Sequence, residues 1–208
     1  MTSAAANRAR IVNQALARLG TKAKFSADST DRLAGIIDLI WPMTVGRCFG
    51  MHSWTWATEV AVLVRRAEVA PDGYEYAFDL PPGTSGPQLR FFADSDCRNL
   101  IRDFRINGAV LACRVPSVWA ESPYPVDPGA WDPFFSAAFV VALASDLAVP
   151  LQQDTDSRDR YWQEAFGTAS EGGTGGMFGR LISQDRARQP QESPQRWSDP
   201  LTAARYLP

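Results

Sequence analysis

The only histidine of the chain, His52, stands in the phrase Phe49-Gly50-Met51-His52-Ser53-Trp54-Thr55-Trp56-Ala57. An imidazole can serve as general base or metal ligand, but either role needs converging partners. Spacing supplies none: there is no second histidine, no paired cysteines and no glycine-rich phosphate loop beside it. Its aromatic neighbours favour a hydrogen-bonded structural histidine. Asp94 and Asp96 could be two carboxylates of a metal site, yet no third ligand has a telling spacing. A loop capped by Asx turns accounts for them better. Asp154, Asp156, Asp159 and Glu164 gather near a helix start, where carboxylates favour the macrodipole. Ser117, Ser122 and Ser145 have no motif-placed histidine to activate them. Cys48, Cys97 and Cys113 are odd in number and far apart, which suits buried free thiols. Gly172 to Gly176 lacks the lysine and the following helix of a nucleotide loop, and reads as a flexible hinge. The expectation is therefore no catalytic, cofactor-binding or metal-binding residue, and no cofactor.

Composition sets the wider bounds. The 208 residues suffice for one domain with a sizeable core, and 45% are hydrophobic, as in a soluble globule. Lys plus Arg number 21 against 23 for Asp plus Glu. The formal charge of -2 argues against a dedicated nucleic-acid binder. Met1 to Arg10 lacks the apolar core of a signal peptide, and the apolar run Ala137 to Ala144 is too short to span a bilayer. A cytosolic or particle-borne protein is expected, without a membrane.

The elements that must position these residues follow from periodicity. Ile11, Val12, Ala15, Leu16 and Leu19 predict a helix over 4–20, stopped by Gly20. A second helix is expected from Ser26 or Asp28 as N-cap, with Leu33, Ile36, Ile37, Ile40, Val45 and Phe49 on its apolar face. Pro42 is expected to kink or divide it. The middle third has strand character, with Tyr74, Tyr76 and Phe78 alternating and Asn107-Gly108 marking a hairpin turn. Asp132-Pro133 opens a third helix that Pro150 stops, and a fourth runs from about Asp154 to Ala169.

The fold class that these features predict is mainly α. It is an antiparallel four-helix bundle over residues 1–171, with a small antiparallel β insertion at about 58–120 and a hinge and extended tail over 172–208. Core positions are expected at Leu16, Leu19, Trp54, Trp56, Tyr76, Phe134, Phe139, Leu143 and Trp162. Trp54 and Trp56 should seal the junction between the second helix and the sheet. The tail is polar, but Phe178, Leu181, Trp197 and Tyr206 punctuate it. It reads as a segment that orders on a partner, with Arg180, Arg186, Arg188, Arg196 and Arg205 pairing with that partner's carboxylates.

Four stretches resemble the tail tubular protein A family, the head-to-tail adaptors of tailed bacteriophages and related gene transfer particles. The first is Asn13-Gln14-Ala15-Leu16-Ala17-Arg18-Leu19-Gly20 with Phe25-Ser26, the second His52-Ser53-Trp54-Thr55-Trp56-Ala57. The third is Tyr74-Glu75-Tyr76-Ala77-Phe78-Asp79-Leu80-Pro81. The fourth is Trp131-Asp132-Pro133-Phe134-Phe135, leading through Ala142-Leu143-Ala144 to Leu147-Ala148-Val149-Pro150. Trp56 stands where the family typically has phenylalanine. Pro82-Gly83 replaces its aspartate–cysteine pair.

The resemblance implies structural work without a chemical step. Such adaptors form a ring, of about twelve copies, beneath the portal of a DNA-filled capsid. The C-terminal segment reaches the portal, the other end receives a stopper or the next tail protein, and double-stranded DNA passes through the lumen without sequence-specific binding. The implied place is the head–tail junction of a virion or phage-like particle, reached by assembly in the host cytoplasm. The alternative is a small soluble helical protein-binding module with no role in a particle.

Overall fold

The computed structural model describes residues 3–22, 24–67, 73–81, 90–123, 126–171 and 175–188. Among them, five helices and seven strands follow one another in blocks. Helices α1 (Ser3–Arg18) and α2 (Arg32–Gly50) come first. Strands β1 (Thr58–Val62), β2 (Val64–Arg65), β3 (Tyr76–Asp79), β4 (Arg90–Phe92), β5 (Phe104–Asn107), β6 (Val110–Cys113) and β7 (Trp119–Pro123) follow. Then come α3 (Pro133–Gln152), α4 (Thr155–Phe166) and α5 (Gly176–Arg188).

The expected four-helix bundle with a small insertion is corrected. The described residues are about 52% helical and 17% strand, a mixed α and β fold. Strands β1, β7 and β4 form one antiparallel sheet; β2, β3, β6 and β5 form another. Phe91 and Ala120 of the first pack with Phe78, Leu111 and Cys113 of the second around Leu63 and Val118. The strands thus bury a core of their own. Local turn signals missed this because β1 pairs with β7 across the whole block, Thr58 opposite Pro123. The hairpin between β5 and β6 also shifts by one residue. Asn107 pairs with Val110, leaving Gly108-Ala109 as the loop, with Gly108 at φ 61°. Glycine at the first central position is the type II′ pattern, not the Asn-Gly type I′ turn.

The helical unit is built around α3. Asp132 caps it by accepting from the amides of Phe134 and Phe135, and Pro133 opens the first turn. Ala138, Ala142 and Ala144 are fully buried, and α1, α2, α4 and α5 all pack on this helix. Pro150 does not stop it; the helix runs to Gln152 and ends at Gln153 in the left-handed region. α1 ends as predicted. Gly20 has φ 69°, its N–H reaches Ala17 O at 3.0 Å, and the Thr21 N–H reaches Leu16 O at 3.2 Å. That reciprocal pair satisfies the last carbonyls. α2 starts later than predicted, with Asp31 rather than Ser26 or Asp28 as cap, accepting from Ala34 N at 2.9 Å. It passes through Pro42 as one helix.

The chain after Phe166 departs most from expectation. Residues 176–188 are helix α5, not extended tail. Of the expected hinge, residues 172–174 lie outside the described residues, and Gly175 and Gly176 are close-packing residues. A Cβ on Gly176 would sit 2.6 Å from the Glu164 carbonyl oxygen and 2.7 Å from Gly167 N. Glycine is what lets α4 and α5 meet backbone to backbone.

Candidate functional site

The phrase around His52 ties α2 to α3 and α5 through hydrogen bonds and ring contacts. Trp54 is buried, and its indole N–H donates to Cys48 O at 3.2 Å. Its ring meets Phe135 edge-on at 5.1 Å and lies 6.3 Å from Phe178. Trp56, half-buried, lies 5.0 Å from Phe135. Phe178 in turn stacks on Phe166 at 5.2 Å. Trp54 and Trp56 therefore seal the helical core against α3 and α5 at the point where the chain leaves α2, rather than packing into the core between the sheets.

His52 and Asp185 form a buried polar node in this cluster. His52 Nε2 is 3.1 Å from Asp185 Oδ2. The same carboxylate accepts from Thr55 N at 3.1 Å and from Thr55 Oγ1 at 2.7 Å. Burial pushes the His52 pKa below its ordinary value, although Asp185 pulls it up; Arg186 and Arg90 add to the lowering. The neutral ring donating Nε2–H to a carboxylate fits both observations. The geometry does not make a catalytic relay. In such a relay a hydroxyl donates to the imidazole, and the imidazole donates to the acid. Here the Thr55 hydroxyl donates to the acid itself.

Other residues considered for chemistry take structural posts. Asp94 accepts from Arg98 N at 2.9 Å, Asn99 N at 3.2 Å and Asn99 Nδ2 at 2.7 Å, the expected capped loop. Asp154 caps α4, accepting from Ser157 N at 2.9 Å. Ser145 donates to Arg158 O at 2.8 Å. Burial raises the pKa of the Cys48 thiol far above its ordinary value, which makes it a poor nucleophile. No cluster of three or more His, Cys, Asp or Glu suited to a metal occurs among the described residues.

The predicted core is only partly where it was expected. Leu16, Leu19, Trp54, Phe139 and Leu143 are buried, and Tyr76 packs at the edge of the core between the sheets. Phe134 is corrected: it is 66% exposed, because the first turn of α3 aims Phe135 inward and Phe134 outward. Trp162 is 38% exposed; one face meets Phe166 at 4.6 Å and the Arg47 guanidinium at 4.8 Å. Among the partner-binding candidates, Phe178 is fully buried in its own chain, so it is not available to a partner in this conformation. Leu181 is half-buried against the same core. Arg180 and Arg186 are exposed on α5, and Arg188 lies 3.8 Å from Asp132. Arg196, Trp197, Arg205 and Tyr206 lie outside the described residues.

A surface that the sequence reading did not single out is the outer face of α2. Gly35, Leu39, Pro42, Met43, Gly46 and Gly50 are all exposed and recur at helical spacing. Leu39 is 70% and Met43 69% exposed. Added Cβ atoms at Gly35, Gly46 and Gly50 would meet nothing within 4 Å among the described residues. A second apolar patch, Val60, Val62 and Val64, is exposed along the edge strands β1 and β2. The signal for α2 was present in its composition, since apolar residues surround the helix and only one side can face α3.

The first stretch of the family resemblance has a local physical reason. The Asn13 amide bonds the Phe25 backbone twice: Nδ2 donates to Phe25 O at 2.9 Å, and Oδ1 accepts from Phe25 N at 2.8 Å. That bond pair folds the α1–α2 loop back on α1, which is why a polar residue sits beside the apolar stripe. No family model matches the chain, and no curated protein matches it either.

Proposed function

We propose that this chain is a subunit of a head-to-tail adaptor ring in a tailed phage or phage-like particle. It joins the portal to the stopper or next tail protein and lines part of the DNA channel. It performs no chemistry and needs no cofactor. The observation that carries this reading is the outer face of α2. Each glycine in a helix interior costs about 1 kcal/mol relative to alanine, and no described residue comes within 4 Å of a Cβ added at Gly35 or Gly46, or at Gly50 at the end of the helix. With Leu39 and Met43 exposed beside them, they suit close approach by a neighbouring subunit. The valine patch on β1 and β2 is a different surface, and two unlike patches on one chain suit a head-to-tail contact that closes into a ring. The resemblance of the four sequence stretches supports the same reading.

Sedimentation velocity over a range of concentrations, with electron micrographs of the protein alone and mixed with its portal, tests the proposal. Rings that disappear in Leu39→Asp are expected. A subunit that stays monomeric at every concentration, portal included, would overturn it.

A further inference from the structure

The two chain connections between the helical unit and the paired sheets run from α2 to β1 and from β7 to α3. The last turns of α5 touch both. Asp185 is 4% exposed and takes three hydrogen bonds from the first connection, two from Thr55 and one from His52. One turn on, Arg188 lies 3.8 Å from Asp132 at the end of the second. Between them Leu181 and Gln184 line a small cavity with Trp54, Trp56 and Phe134. The other end of α5 is rooted in the helical core by Phe178 and Ile182, buried like Asp185. One short helix therefore holds the helical core at one end and grips both connections at the other.

We propose that α5 is a clasp that fixes the paired sheets against the helical unit, with Asp185 as its main tooth. Releasing Asp185 frees the sheets to reorient while both units stay folded. The physical ground is the concentration of constraint. A carboxylate buried among three donors is costly to strip of them, and all three donors lie on a connection of seven residues, Met51 to Ala57. Elsewhere each unit is held by its own core, so the clasp acts on orientation more than on folding. This inference does not depend on the adaptor reading.

The test is a distance measurement between spin labels on Cys97 and on Gln14→Cys in the full chain. Cys97 sits in the Asp94-capped loop of the sheets, and Gln14 is exposed on α1. A single narrow distance distribution is expected for the native clasp. Asp185→Ala should broaden or shift it with the circular dichroism of the helices retained, and Arg188→Ala should do so less. Thr55→Val removes one hydroxyl donor without changing side-chain volume much, and it decides the matter if Asp185→Ala fails to fold. An unchanged distribution in folded Asp185→Ala or Thr55→Val overturns the proposal. So does a distribution that is already broad in the native chain.

Discussion

Helices α2 and α3 are both long and apolar enough, by length and composition, to cross a membrane, which the run Ala137 to Ala144 alone does not reveal. They meet opposite fates. The apolar window of α3 is 61% buried inside the molecule, that of α2 only 22%. α3 lies at the centre of the helical unit, with helices packed around it. α2 has one inner face, with Ala34, Ile37, Thr44 and Cys48, and an outer face left uncovered by the described residues. Two ion pairs border the inner face of α2, one on either side. Arg8 of α1 reaches Asp38 at 2.7 Å, and Arg47 pairs with Asp146 of α3, a carboxylate that Thr44 also reaches. Two helices that pass the same test of length and apolarity are thus buried to very different degrees. The apolar surface of α3 is mostly buried within the fold, whereas much of that of α2 stays exposed among the described residues, on the face proposed for association.

This contrast can be broken or sharpened by substitution. The largest effect is expected in the buried region. Trp54→Ala removes a ring packed against Phe135 and Phe178. It should lower the unfolding free energy by about 3–5 kcal/mol, through lost transfer and the cavity left behind. Chemical denaturation measures it, and a change near zero would mean that the ring contributes nothing to the core. Asp185→Ala comes next. It leaves the Thr55 amide and hydroxyl without their acceptor, at about 1–3 kcal/mol, and the same titration reads it.

The outer face of α2 should behave in the opposite sense. Gly46→Ala is expected to stabilise the isolated subunit by up to about 1 kcal/mol, because alanine is the better helix former and the added methyl meets nothing. Ring formation should weaken at the same time, since the methyl occupies the surface that a neighbour would approach. Paired melting and sedimentation measurements separate the two effects. Loss of subunit stability would show that the glycine serves the fold itself.

The smallest effect is on pH dependence. Burial lowers the folded-state pKa of His52 below the ordinary value of 6.5. The unfolded chain then binds the proton more readily than the folded one. The stabilisation is fully present above pH 6.5 and is lost as pH falls through the folded-state value. Denaturation between about pH 5 and 7.5 should show this slope, and His52→Gln should flatten it. A slope that survives the substitution would assign it to other groups.

Much of the helical unit was legible in the chain. The stripe from Ile11 to Leu19, the Gly20 stop, the Asp132-Pro133 start and the Asp154 cap are local patterns, because a helix forms its hydrogen bonds within a few residues. The hydrogen-bonded place of His52 was legible from its aromatic neighbours, but its partner was not. Asp185 lies far along the chain, in a stretch whose polar composition suggested a loose tail. Its period, Phe178, Ile182 and Asp185, is helical only if the aspartate counts as an inward residue, and nothing local says that it does.

The sequence by itself determined where α1 stops and where α3 and α4 start, which rings are large enough to fill a core, and that no obvious set of ligating or nucleophilic residues is spaced for chemistry. Tertiary structure alone decided that the strands form two sheets with a core of their own, that Phe134 faces out while Phe135 faces in, that glycines 175 and 176 join helices rather than loosen them, and that the described residues leave an apolar face of α2 uncovered. The reason is the range of the interactions. Caps, turns and helical periods are settled between near neighbours, whereas strand pairing and burial depend on residues that only the folded chain brings together.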